Sequence, residues 1–572
     1  MKPLWAFPLP GGLSIFIINK TPRTIAFSFK REVFVNKNFN KSISRRSFLR
    51  TMVVATAATT IDWPRIQALA STIEPKSDYP VVVIGAGLGG LTAATYLARN
   101  GFPVTVLEQH DVPGGYVTSF KRGEFTFDVS PHYTLGIGPF LEELVIKYKV
   151  ELVTPRELFR AIALDYELIL PQKDPEGFIR ILSEKFPLEA QGIQAFISQL
   201  KGLVQEWLKP FEMKTISSTH PIVWNLSRLS TAQLLDQHFK DPGLKALLSI
   251  FGSGYGLPAS KLPGLLFAVG TAGAVFIGRQ FIKPSGQGLS NVLVQAIENH
   301  RGRVILMTEV ESILTKDGSV AGVKTNDGKT YPAKAVISNA SAPATFEKML
   351  SPKLVPDSYM AKLRNYRPSH SYFLVWLGLN QELRDKFKAF QNVVIPDHYD
   401  PETDDEATSA CDASKARFQV YLYDTLYSEY SKPGKSTVKI LMQCGYRPWK
   451  HFEADYFAGK KEAYRKEKDR IAQILIERTE ALVIPGLKSM IEVMDAATPL
   501  TNMRYTKNPD GAVLGYEHSM DNYWIYRNRN GTPIKGLYLA SAWGSPGGGV
   551  NPVMRGGQTT FKALMEDWGR KN

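Results

Sequence analysis

Cysteine is nearly missing from this chain: Cys411 and Cys444 are the only two in 572 residues. That is too few for a disulfide framework or a cysteine-based metal site, and leaves either one bridge in an oxidising compartment or two unrelated thiols. No HExxH helix, no GxSxG elbow and no cluster of residues at metal-ligand spacing occurs, which removes metallo- and serine-hydrolase readings. Long apolar runs are missing too. The most apolar stretch beyond the N-terminal region, Leu262 to Ile277, is interrupted by proline and glycine and is a poor bilayer span. No internal repeat or long low-complexity tract is present. What remains is a globular composition, 44% hydrophobic and 22% charged with a mean hydropathy of −0.15. The chain is too long for one core, which rarely grows past about 250 to 300 residues.

A formal charge of +15 invites a nucleic-acid reading, but its placement argues against one. The first 70 residues hold eleven Lys/Arg against two Asp/Glu, so most of the excess lies there, and nothing downstream groups basic and aromatic residues into a nucleic-acid platform. Within this basic leader (residues 1–70), Ser44-Arg45-Arg46-Ser47-Phe48-Leu49-Arg50 resembles a twin-arginine export signal. A short Ala/Val/Thr run from Thr51 to Ile61 and an Ala68-Leu69-Ala70 cleavage-like triplet follow. The resemblance implies the twin-arginine export machinery as a partner and a periplasmic or exported location. That route carries folded proteins, which suits one that takes up a cofactor before crossing.

Val81 to Tyr116 organises the rest. Val81 to Ile84 has the composition of a central parallel strand buried on both faces. Gly85, Gly87 and Gly90 follow at GxGxxG spacing, Leu91 to Arg99 continues with helix formers, and Val104 to Leu107 gives a second strand ending on Glu108. Gly85 permits the tight turn, Gly87 lets a pyrophosphate approach the backbone, and Gly90 lets helix and strand pack closely. The helix N-terminus presents free N–H groups to the phosphates, and Glu108 is placed to accept from ribose hydroxyls. A dinucleotide is therefore expected, with NAD and FAD both open on this motif alone.

The next residues narrow the choice. Gly114-Gly115 with the downstream Phe127-Asp128 resembles the FAD-binding start of the amine oxidase and phytoene desaturase superfamily. Near the other end, Gly536 to Val550, with Trp543, Gly544, Gly548 and Gly549, resembles the closing flavin motif of carotenoid desaturases, carotenoid isomerases and retinol saturases. The resemblance covers roughly Pro80 to Trp568. It implies an α/β fold, a Rossmann-like FAD-binding domain of the GR2 flavoprotein type with an inserted α+β substrate domain. The FAD domain is expected from 78–135, 282–350 and 504–572, and the substrate domain from 136–281 and 351–503. It further implies that Val310 meets the adenine end through its main chain, and that Trp543 to Val550 lie beside the flavin. Two departures stand out. Ala542 replaces an acid that many superfamily members carry, which favours the carotenoid branch over the polar amine oxidases. Tyr116 stands where many relatives have arginine.

Elsewhere the pattern predicts helices over Phe140–Tyr148, Glu176–Phe186, Ala190–Trp207 and Lys460–Val483, and strands over Ser371–Leu379, Phe418–Tyr423 and Thr437–Cys444. Val304 to Tyr331 reads as a small β-meander with Asp317-Gly318 and Asp327-Gly328 turns, and Asp400 to Ser414 as an acidic surface loop. Leu262 to Ile277 reads first as a buried helix and strand, and second as the wall of a tunnel for a long apolar ligand.

With FAD bound, the flavin carries the redox step and the protein supplies position, dryness and electrostatics, so no catalytic dyad is obligatory. Retinol saturase-like sequences carry a similar His132-Tyr133 pair, which makes either ring a candidate proton donor; a structural role for His132 is the competing reading. His370, His518 and Arg555 are weaker candidates. The leading expectation is redox or isomerisation chemistry on an apolar isoprenoid or polyene drawn from a membrane surface, with a separate electron partner. Oxidation of a small amine, and a non-catalytic isoprenoid-binding chaperone of the same fold, are the alternatives.

Overall fold

The Val81–Ile84 strand is buried at every position, and the reason is that its sheet is covered on both sides. Val81 and Val83 face an apolar cluster with Val104, Val106, Ala335 and Ile337. Val82 and Ile84 face a second cluster with Leu107, Val336, Leu537 and Leu539. A strand packed on both faces has no polar side to alternate with, hence the unbroken VVVI.

The computed structural model describes strands at 5–9, 13–21 and 24–28, then residues 78–569 apart from 131–132, 136–146, 148–150, 211–213, 385, 388, 397 and 524–525. The chain divides into two units, residues 1–48 and 49–572. In the first, Leu13–Thr21 pairs antiparallel with both Trp5–Leu9 and Thr24–Ser28. The twin-arginine segment and the cleavage-like triplet lie outside the described residues.

In the second unit a five-stranded, all-parallel sheet runs in the order Arg303–Ile305, Val104–Leu107, Val81–Ile84, Ala335–Ser338, Leu537–Leu539. Helices Leu88–Arg99, Gly286–Glu298 and Val550–Gly569 cover one face through Leu91, Leu97, Leu293, Phe561 and Met565. The first and last of these cross at glycines: a Cβ on Gly557 would lie 2.5 Å from the Gly89 carbonyl oxygen. A three-stranded antiparallel sheet, Val310–Lys316, Ser319–Thr325 and Thr330–Pro332, contributes Ile313, Val320 and Val323 to the apolar cluster on the other face.

A separate seven-stranded mixed sheet runs Glu167–Pro171, Glu157–Ile162, Gln391–Val394, Phe418–Tyr421, Ser436–Cys444, Ser371–Leu379, Ile491–Ala497. Only the Glu157–Ile162 and Gln391–Val394 pair is parallel. One face packs on the long helix Glu462–Leu482 through Phe373, Val375, Ile440 and Met442. Both cysteines are free and buried in that core, and Trp449 Nε1 donates to Cys444 Sγ at 3.1 Å. The opposite face is the floor of a large cavity. Among the described residues no helix is long and apolar enough to cross a membrane.

Three expectations change. Arg303–Ile305 is not part of a meander; it joins the parallel sheet beside Thr105–Leu107, a pairing of distant segments that local pattern does not carry. Asp400 to Ser414 is not a loop: Pro401–Ser409 is a helix, started by Asp400, whose side chain accepts from Thr403 N at 2.9 Å, and by a proline in the first turn. Leu262 to Ile277 contains no strand; helix Gly264–Ala272 runs on into a π-helical turn at Gly273–Ile277. The helix expected over Phe140–Tyr148 lies outside the described residues apart from Lys147.

Candidate functional site

At the end of Val81–Ile84 the chain turns through Gly85, whose φ of +89° is one that side chains other than glycine rarely adopt. Its N–H donates to Leu107 O at 2.8 Å. Helix Leu88–Arg99 then starts with no side-chain cap, so its first N–H groups and the positive end of its dipole are left for an anion. Gly90 sits behind this loop, where a Cβ would come 2.4 Å from Gly85 O, and it serves close packing. The second glycine pair is tied to the first: Gly114 N donates to Ala86 O at 2.8 Å, and Gly114 and Gly115 have φ of +125° and +61°.

Glu108, 6% exposed, clamps both turns. Its Oε2 accepts from Ala86 N at 2.7 Å and its Oε1 from His110 N at 3.0 Å. A carboxylate so held keeps lone pairs for further donors. Asn339, at the end of Ala335–Ser338, fills the space under the loop; a Cβ on Gly87 would lie 2.5 Å from its Nδ2. Sequence reasoning passed over Asn339, although the carboxyl end of a strand next to the first one is where such clefts form. Val310 opens the antiparallel sheet and is buried.

The other glycine cluster follows Leu537–Leu539. Trp543 is buried, donates from Nε1 to Asn508 Oδ1 at 3.1 Å and meets Tyr516 edge to face at 4.7 Å. Two polar residues that the sequence did not flag hold this segment. Arg527 donates Nε to Gly544 O at 2.8 Å and Nη2 to Ala542 O at 2.9 Å and Tyr516 O at 3.1 Å. Burial pushes its guanidinium down to about 10. Asn530 accepts from Ser545 N at 3.0 Å and donates to Gly556 O at 2.8 Å. Neither carries a periodic or motif signal in sequence. Gly544 packs toward Asn530, while Gly547, with φ of +115°, makes room for His518, whose Cε1 would lie 2.3 Å from a Cβ there.

Both clusters line one cavity of about 1220 Å³, larger than the 300 to 1,000 Å³ of an ordinary ligand pocket and so roomy enough for two molecules. Gly85, Gly87, Glu108, Gly114, Gly115 and Val310 contribute from one side; Trp543, Gly548, Gly549 and Val550 contribute from the other. Leu265, Leu266, Val269 and Ile277 of the apolar helix and its π turn form an outer wall, and Tyr372, Leu374, Tyr421 and Leu441 form the sheet floor. The stretch is thus a buried helix, as first read, that also lines the cavity.

His132 lies outside the described residues. Tyr133 lines the cavity, and its ring lies 4.6 Å from the Arg279 guanidinium carbon. Asp128 does not line it; it is a buried knot whose Oδ1 accepts from Ser119 Oγ at 2.6 Å and from Gly286 N at 3.1 Å. His518 lines the cavity, with the Tyr255 ring 5.6 Å away. Burial, then Arg527 and His370, hold it well below the usual histidine range. Burial alone takes His370 down to about 4 and lowers Arg555. Tyr116, its hydroxyl 3.3 Å from Ala512 O, is pushed up to about 12 by burial. The imidazoles of His370 and His518 and the Tyr116 phenol are thus uncharged at neutral pH. Such a site can orient an apolar ligand, and neither His370 nor His518 is poised near neutrality.

The family model for flavin containing amine oxidoreductase matches residues 88–560. Over 527 residues the chain is 26% identical to prolycopene isomerase 1 of an Oncidium hybrid cultivar, covering 87% of this chain and 86% of that protein. It is 26% identical over 521 residues to all-trans-retinol 13,14-reductase of Danio rerio, covering 82% and 83%. Among solved structures, an oxidoreductase from Methanosarcina mazei matches with a TM-score of 0.57 at 17% identity, over 85% of this chain and 100% of that one.

Proposed function

Because the chain belongs to the flavin-containing amine oxidoreductase family, we propose that it is an FAD-dependent oxidoreductase acting on an apolar isoprenoid or polyene, by desaturation, saturation or isomerisation. One observation carries the reading: two glycine clusters more than 400 residues apart line one cavity whose remaining wall is mostly apolar. The residues present fit FAD. The uncapped helix start and the Gly85 to Gly89 backbone suit the pyrophosphate, and Glu108 suits a ribose. The main chain of Gly547 to Gly549 and the Trp543 ring suit the isoalloxazine. Bound there, the flavin supplies hydride or electron transfer at its ring.

The protein's own part is to keep that chemistry dry and to hold the substrate chain along the floor of Tyr372, Leu374, Tyr421 and Leu441. The two relatives named above, an isomerase and a reductase of conjugated isoprenoids by their names, support the substrate class and leave the direction of reaction to the electron partner. The small-amine alternative is disfavoured by the lining: its only carboxylates among the described residues are Glu108 and Glu309, both standing with the glycine loop, so no described carboxylate meets an ammonium on the substrate side. Export by the twin-arginine route and uptake of substrate at a membrane surface complete the proposal.

The test is anaerobic mixing of the purified flavoprotein with retinoids, carotenoids and aliphatic amines, following the flavin spectrum. Bleaching or reoxidation with a polyene is expected. Protein without flavin bands after reconstitution with FAD, or turnover of amines alone, would overturn the reading.

A further inference from the structure

Beside the sheet floor the cavity holds an arginine with no described carboxylate against it. Arg279 lines the cavity and is 7% exposed. Its Nη1 donates to Gln391 Oε1 at 2.8 Å, its Nε is buried without an acceptor, and no described carboxylate pairs with it. Arg527, which holds the segment behind the second glycine cluster, has main-chain carbonyls around its guanidinium. Arg279 has one glutamine and the face of Tyr133.

That glutamine is fixed in turn. Gln391 Nε2 donates to Gln419 Oε1 at 2.9 Å and to the Tyr421 hydroxyl at 3.2 Å, while Tyr421 donates to Gln419 Oε1 at 2.5 Å. With its amide donors spent, Gln391 can turn only its oxygen to the guanidinium. The Nη1 corner is thus anchored, and the Nε–Nη2 edge, the edge that grips a carboxylate with two parallel hydrogen bonds, is left over. A buried cation with unspent donors is costly to a folded protein unless a ligand supplies the missing charge.

We propose that Arg279, positioned by Gln391 and stacked on Tyr133, is a subsite for a carboxylate at one end of the substrate, and that the preferred substrate is a conjugated apolar chain ending in an acid. This rests on the polyene reading of the cavity. The apolar wall takes the chain and Arg279 fixes which end enters and how far it travels.

The experiment titrates the flavin-loaded, full-length protein with three polyenes of matched length, all-trans-retinoic acid, all-trans-retinol and the hydrocarbon axerophthene, following perturbation of the flavin spectrum. The acid is expected to bind about 10- to 100-fold more tightly than the alcohol, the range of charge-assisted hydrogen bonding. Arg279→Gln should remove that preference and leave alcohol and hydrocarbon affinities unchanged, while Arg279→Lys, which keeps the charge, should retain part of it. Equal affinity for acid and alcohol in the unaltered protein overturns the subsite even if the variant fails to fold, and so does an acid preference that survives Arg279→Gln. In both cases binding of alcohol and hydrocarbon leaves the polyene reading standing. If none of the three perturbs the flavin, both the subsite and the polyene reading fall.

Discussion

Lys439 lies in the middle of the mixed sheet, 2% exposed, with its Nζ donating to the Tyr423 hydroxyl at 2.8 Å and 4.6 and 5.3 Å from the rings of Tyr423 and Tyr421. Burial, opposed in part by Asp128, pushes its ammonium down to about 7 from 10.5. Since the folded value lies below the unfolded one, between pH 7 and 10.5 the unfolded chain binds a proton that the folded chain does not, and stability rises with pH across that window. Below pH 7 both states are charged and the whole cost of burying the ammonium is felt. At 1.36 kcal/mol per pH unit the gap sets a ceiling of about 5 kcal/mol, of which about 3 is recovered between pH 6.5 and 9.5. Lys439→Met keeps the length of the side chain, removes the charge and gives up one hydrogen bond to Tyr423, a loss of about 1 kcal/mol. Urea unfolding followed by tryptophan fluorescence at the two pH values should therefore show the unaltered protein gaining about 3 kcal/mol more than the variant. At pH 6.5 the variant should be the more stable of the two. Equal pH dependence in both proteins would mean that the ammonium is solvated or ion-paired after all, and the argument from burial would fail.

Two further outcomes follow from the geometry. Gly89→Ala drives a Cβ to 1.7 Å from the Ala540 carbonyl oxygen, so main chain must shift; a loss of about 1 to 3 kcal/mol in stability is expected, together with a lower flavin-to-protein absorbance ratio, and a variant equal to the unaltered protein in both would show that the two glycine clusters do not approach as described. Replacing Arg45 and Arg46 together by lysine should keep the protein in the cytoplasm on fractionation, and undiminished export would dismiss the twin-arginine assignment.

The parts of the fold that could be read from sequence are those where burial imposes one composition. Val81–Ile84 is apolar throughout and Ala335–Ser338 is buried at every position because both faces are covered, and helix Ala190–Trp207 shows its periodicity because only one face is. Arg303–Ile305 could not be placed, since its membership depends on a parallel partner some 200 residues away. Pro401–Ser409 was hidden by its acidic composition, although the Asp400-Pro401 start that nucleates it was in view. In the site, the glycines could be read because backbone conformation and close approach demand them. Asn339, Arg527, Asn530 and Arg279 could not: each is a single polar residue whose role comes from where distant strands bring it, and a lone arginine before an apolar strand looks the same in sequence whether it faces solvent or a dry cleft.

The way Arg527 is used has a consequence for altering this protein. Its donors reach the peptide oxygens of Tyr516, Ala542 and Gly544 and ignore their side chains. Peptide oxygens are common to all residue types, so the clasp stays indifferent to chemistry introduced at position 542. That position lines the cavity beside Trp543, which makes it a natural place to install a new functional group without dismantling the bracket that carries it.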